Sequence, residues 1–146
     1  MSTLQSGFPI SVTSQTDTTG SLGGLQRPNS ILPSTRSSGD IVNRIDGYFN
    51  PNAFAKPPLY TFGTIGRMLP DNRGPYFINT DLSVLKEVQI HEAMHLEIRG
   101  EMFNAFNHVN FQSPTGNSTV YGLPQFGSIT GTYDPRIVQV AMKLHF

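Results

Sequence analysis

Residues 76–103 read YFINTDLSVLKEVQIHEAMHLEIRGEMF, and the way that stretch is wound decides the fold. Its centre, HEAMH at 91–95, matches the zinc-peptidase pattern H-E-x-x-H. On a helix, His91 and His95 stand one turn apart on one face and reach a single zinc ion, with Glu92 placed to act on the bound water. On a strand or a turn, none of that follows. The flanks read as strand: Tyr76, Ile78, Thr80, Leu82 and Val84 fall on one side of a period-two pattern, and Asn79, Asp81 and Ser83 on the other. Leu96, Ile98 and Met102 then alternate with His95, Glu97, Arg99 and Glu101, Gly100 interrupting the apolar row without breaking it. A helix competes, since Met94, Ile98, Met102 and Phe106 recur every four residues. It leaves Leu96 far from that stripe and sets Gly100 mid-helix at about 1 kcal/mol against Ala.

If 76–90 and 95–106 pair as a hairpin, HEAMH becomes its turn. Matching the apolar faces requires the numbers of opposed residues to sum to an even value. The preferred register opposes Glu87 to Arg99 and His91 to His95, with Glu92, Ala93 and Met94 as a three-residue loop. The imidazoles then meet with no helix to orient Glu92. A third ligand is also missing: no Glu follows Glu101, and the extended zinc pattern meets Ile98 and Glu101 where it needs Gly and His. His91 and His95 remain the metal candidates of an alternative zinc-peptidase reading, which strand context outweighs. The expectation is no catalysis and no cofactor.

The rest of the composition points the same way. At 146 residues the chain is long enough for one domain with a core. Ten basic and ten acidic residues cancel without forming a run, so no nucleic-acid surface is expected. The absence of Cys excludes a disulfide framework, a cysteine-bound zinc and a thiol nucleophile. The N-terminal MSTLQSGFPISV has no Lys or Arg and no long apolar run, so this chain is expected to carry no signal peptide. No stretch approaches the roughly 18 consecutive apolar residues of a membrane helix, so a membrane role must use strands. Fourteen Gly and eleven Pro, spread throughout, suit an all-β chain with long loops.

Phe8, Ile10 and Val12 alternate in residues 7–13, which predicts a short strand limited to an edge by Pro9. Residues 14–43 read as a long polar loop or, equally, a partly disordered segment. Residues 44–75 put Tyr48, Phe49, Phe54, Tyr60 and Phe62 among prolines and glycines, as in an ordered loop whose rings pack against their scaffold. After a further loop at 107–133, Val138, Val140, Met142, Leu144 and Phe146 alternate with Ile137, Gln139, Ala141, Lys143 and His145 in a terminal strand within 134–146.

Three stretches resemble the C-terminal end of a TonB-dependent outer-membrane receptor with an Oar-like barrel: FGTIGRMLPDNRGPYFINTDLSVLKEVQI, HLEIRGEMFNAFNHVNF and FGSITGTYDPRIVQVAMKLHF. The most specific elements are the entry from Arg73 to Ser83, E-x-F-N-x-F-N-H from Glu101 to His108, and D-P-R-I-x-Q from Asp134 to Gln139 before a terminal Phe. GFPISVTSQTD and QRPN extend the likeness over nearly the whole chain. In relatives, the segment equivalent to HEAMH resembles a variable polar hairpin turn.

The resemblance implies an up-and-down transmembrane β-barrel fragment of about four antiparallel strands that cannot close alone, since the family closes about 22 strands around a plug. Independently, strands of about 9–11 residues with one apolar row suit a bilayer, and long outer loops with short periplasmic turns fit the order long (14–75), short (91–94), long (107–133). Glu97, Arg99 and Glu101 would face the lumen, because an Arg on the lipid face costs about 2–4 kcal/mol at the midplane. By resemblance, Val140, Met142, Leu144 and Phe146 form the signal read by the outer-membrane assembly machinery. The expected partners are outer-membrane lipid, the rest of a barrel and that machinery. The expected location is the bacterial outer membrane, as part of a longer exported chain. The second class of function is a self-assembling β-structural protein, extracellular, in which open strand edges pair with other copies.

Overall fold

The computed structural model describes residues 1–21 and 23–146. Nine strands and three short 3-10 turns (Ile41–Arg44, Pro51–Ala53 and Gly116–Thr119) make up its regular structure, with no α-helix among the described residues. The sheets are open, and all but one short pairing are antiparallel. The chain divides into two compact units.

The first, the wall unit, comprises Met1–Gln5, Tyr76–Asn110 and Thr132–Phe146. Strand β1 (Ser2–Gln5) lies antiparallel to β5 (Phe77–Thr80), with Ser2 opposite Thr80 and Gln5 opposite Phe77. Beyond Asp81 the chain changes partner. Strands β6 (Leu82–His91), β7 (Met94–Phe103) and β9 (Ile137–His145) form an antiparallel sheet in the order β6-β7-β9. The alternating residues of 82–103 thus take the strand reading over the helical one, as the position of Leu96 and Gly100 requires.

The register differs from the expected one by two residues. Glu87 faces Glu97 and Arg99 faces Leu85; Gln89 faces His95, and His91 faces Met94 after a shift between Gln89 and His91. Glu92 and Ala93 alone make the turn. Both registers keep apolar rows matched, so face parity cannot separate them; the tight two-residue turn wins, and the residue left over is absorbed as a bulge at Ile90.

The second, the loop unit, comprises Ser6–Pro75 and Phe111–Gly131. The strand expected at 7–13 is replaced: Ile10 and Val12 are buried in this unit's core, and Pro9 makes only a single bridge to Arg73. The regular pairing is slight, with β2 (Thr13–Ser14) parallel to β8 (Val120–Tyr121) and β3 (Asn29–Ser30) antiparallel to β4 (Phe54–Ala55). Aromatic packing does the rest. The Phe49 ring lies 5.8 Å from Tyr48, 6.4 Å from Phe54 and 5.2 Å from Phe126, mostly edge-on, the arrangement that π-quadrupoles favour. Tyr48, Phe49 and Phe54 are buried as the loop reading required, whereas Tyr60 and Phe62 stand out at 84 % and 75 % exposure, a correction to it.

Close approaches fix two glycines of the loop unit. Gly127 sits at φ 83°, where a Cβ would come within 3.2 Å of the Tyr48 and Phe49 amides. At Gly63 a Cβ would run into the Arg27 carbonyl. Polar groups tie down the remainder. The Asp71 carboxylate accepts from Ser34 Oγ at 2.8 Å and from the Thr35 amide and hydroxyl at 2.6 and 2.7 Å. Burial pushes this carboxyl up, but the hydrogen bonds outweigh it and hold it below the usual carboxylate range. Arg44 is buried, donates to the Tyr48 carbonyl at 3.0 Å and lies 4.4 Å from the Tyr48 ring centre. Burial lowers its guanidinium from the ordinary arginine value and raises the Tyr48 phenol.

Candidate functional site

The three-stranded sheet sorts its side chains by residue parity. On one face lie the cross-strand rows Leu82–Met102–Val138, Val84–Gly100–Val140, Lys86–Ile98–Met142 and Val88–Leu96–Leu144. On the other lie Ser83–Glu101–Gln139, Leu85–Arg99–Ala141, Glu87–Glu97–Lys143 and Gln89–His95–His145. The first face is apolar apart from Lys86. Nothing among the described residues covers it: Val84, Val140 and Met142 are about seven-tenths exposed. A bare apolar sheet in water is an aggregation site, whereas in hydrocarbon the same face is at home. Strands of ten, ten and nine residues match the span that a tilted membrane strand needs.

The second face is knit by polar contacts. Arg99 Nη2 lies 2.8 Å from Glu97 Oε1, and Gln139 Nε2 donates to Glu101. His145 Nε2 is 3.9 Å from Glu97 Oε2, an ion pair only when the imidazole carries a proton. Glu97, Arg99 and Glu101 thus lie together on the polar face, and a shallow cavity there is lined by Glu97, Arg99, Ala141 and Lys143.

The terminal residues split between strand and tail. Val140, Met142 and Leu144 lie in the apolar rows of β9, whose outer edge pairs with no strand among the described residues. Phe146 follows the strand at 96 % exposure.

The HEAMH segment closes the β6–β7 hairpin. By register His91 shares a row with Met94, and His95 shares one with Gln89 on the polar face, so the two imidazoles belong to opposite faces. The meeting of His91 with His95 that the expected register required does not occur. No group of three or more His, Cys, Asp or Glu able to hold a metal ion is present among the described residues.

Sequence reasoning missed the joint at the other end of the sheet. Asn104 and Asn107 sit at φ 50° and 52°, the left-handed region that asparagine tolerates. Asn104 accepts from the His108 amide at 2.9 Å and donates to the His108 carbonyl at 2.9 Å; its own amide donates to Asp81 Oδ1 at 3.0 Å. Asn107 Oδ1 accepts from the Arg136 amide at 3.1 Å. Asn110 bonds both the amide and the carbonyl of Ile78 at 2.8 Å, doing the work of a strand neighbour with a side chain. The F-N-x-F-N-H spacing was the available signal, with asparagines where a strand must stop and turn.

The comparisons agree with this geometry. The family model described as "Outer membrane beta barrel domain" matches residues 1–139. No curated protein and no solved structure matches the chain. With a bare apolar face, a charged face and strands of membrane-spanning length already in place, the chain belongs to the outer membrane β-barrel domain family, and its sheet is barrel wall.

Proposed function

We propose that the chain is the C-terminal part of a TonB-dependent receptor of the Oar-like kind, contributing barrel wall, outer loops and the terminal assembly signal, with no catalytic role. The observation that carries this reading is the loop unit: two long connections, Ser6–Pro75 and Phe111–Gly131, that build one aromatic core between them, as ligand-handling outer loops must if they are to hold a shape. The polar face, with Glu97, Arg99 and Glu101, then turns toward the lumen, and Leu96, Ile98 and Met142 toward lipid. His91 and His95 serve a periplasmic turn. Val140, Met142, Leu144 and Phe146 carry the assembly signal.

An antibody against residues 134–146, used on outer membranes of the native organism, tests the reading. A heat-modifiable band far larger than 16.1 kDa is expected. In that longer protein, Phe146→Ala should lower the amount of assembled barrel. A band at 16.1 kDa would favour the second reading, a self-assembling β-protein, which rests on the outer edges of β6 and β9, paired with no strand among the described residues. Normal surface levels of the Phe146 variant would remove the assembly role from that residue.

A further inference from the structure

The polar face of the wall unit holds a second cavity, of about 280 Å³, at the end of the sheet where Phe103 and Ile137 pair. Its walls are aromatic: Phe77 and Tyr133 meet edge-to-face at 5.0 Å, and Phe103 adds a third ring. Its charges are of one sign, because Asp81 and Asp134 line it and no Lys, Arg or His does.

We propose that this cavity binds a compact organic cation that carries an apolar ring. The inference concerns the wall unit alone and holds whether or not the barrel is a receptor. Two features select the ligand. An anion entering beside two carboxylates, with no basic residue in the lining, is repelled, whereas a cation is attracted by both carboxylates and by the ring faces. The three rings of the lining, with Pro135 and Ile137, then favour a cation with a ring over a bare ammonium.

A metal ion is the wrong size. The space is many times the volume of an ion, and two carboxylates fall short of the six to eight oxygens that calcium gathers at roughly 2.3–2.6 Å. The site is also built in advance. Asp81 Oδ1 is held by the Asn79 side chain at 2.9 Å and the Asn104 amide at 3.0 Å, and Tyr133 is anchored through its amide to the Asn110 carbonyl at 2.8 Å. Asn104 and Asn110 are themselves buried, so these two anchors do not need to be ordered by the ligand. Asp134 makes no side-chain hydrogen bond or ion pair among the described residues and is the group left to pair with an incoming charge.

The probe is benzamidinium, with benzoate as its anionic isostere and benzyl alcohol as its neutral one. Each is titrated into the chain refolded in a non-ionic detergent and followed by ligand-observed NMR. Saturable binding of benzamidinium, at least tenfold tighter than of either isostere, is expected. Asp134→Asn should weaken it at least tenfold while leaving the β-sheet circular dichroism in place. Equal binding of the three probes, no binding of benzamidinium at millimolar concentration, or unchanged affinity in a folded Asp134→Asn protein would overturn the proposal. If that variant loses its fold, the contrast among the three probes on the unaltered chain decides alone.

Discussion

The loop unit and the wall unit solve the problem of order in opposite ways. Every buried hydrophobic side chain among the described residues belongs to the loop unit, which has hardly any regular structure: Ile10, Val12, Phe49, Phe54 and their neighbours pack behind two-residue strands and single turns. The wall unit has strands of nine and ten residues and buries only two side chains, Asn104 and Asn110. Hydrogen-bonded ladders without a core do not offset chain entropy in water. The wall therefore needs a solvent that accepts its apolar face, and the outer membrane supplies it. The loop unit carries its own interior and needs no lipid.

That contrast can be broken from either side. The largest effect is expected in the core of the loop unit, where Phe49→Ala removes a fully buried ring with three aromatic neighbours at a cost of about 3–5 kcal/mol. Limited trypsin digestion in detergent should then cut within residues 27–73, while the strand signal of the wall persists. A protected loop unit would mean that the ring packing is not what orders it.

Next in size, Val140→Arg places a charge in an apolar row and should cost about 2–4 kcal/mol in urea unfolding from liposomes. Ala141→Arg, one residue on and on the polar face, should cost far less. Equal effects would erase the distinction between the faces. Lys86 sharpens the same point in reverse, since it is the one charged residue in the apolar rows. Its long stem lets the ammonium reach toward an interface, so Lys86→Leu should gain about 2 kcal/mol in liposomes. A loss there would mean that this row meets water or an acidic partner.

The smallest effect is one of pH, confined to the loop unit. The folded-state pKa of Asp71 is depressed by its hydrogen bonds from Thr35 and Ser34, so its contribution is complete above the ordinary carboxylate pKa and disappears as pH falls through the lower folded value. Asp71→Asn should flatten this acid limb of the loop unit's stability, read by the same protease protection across an acid series. An unchanged limb would assign it to other carboxylates.

The wall was largely legible because alternation is a local property. Leu96, Ile98 and Met102 against Glu97, Arg99 and Glu101 declare their faces without knowledge of any partner. Register was not legible, since shifting by two residues leaves every face unchanged, and only the preference for a Glu92–Ala93 turn with a bulge at Ile90 separates the alternatives. Strand β1 was hidden because Ser2–Gln5 has one apolar side chain, Leu4, and takes its conformation from β5. In the loop unit the alternation of Phe8, Ile10 and Val12 misled in the opposite direction: Ile10 and Val12 turn into a core made by residues up to 119 positions away, which no local pattern reports. The asparagine joint around Asn104 and the aromatic cavity beside it depend on residues from three separate segments, so their side-chain geometry could not be read from spacing alone.

The central claim, that the even-numbered row of the wall meets lipid and the odd-numbered row meets water, has a direct measurement. The chain contains no Cys, so single substitutions Met142→Cys and Lys143→Cys take one nitroxide label each. In liposomes, power-saturation EPR should show the label at 142 accessible to oxygen and shielded from a water-soluble nickel chelate, and the label at 143 the reverse. Chelate access at both positions, or shielding at both, would contradict the account.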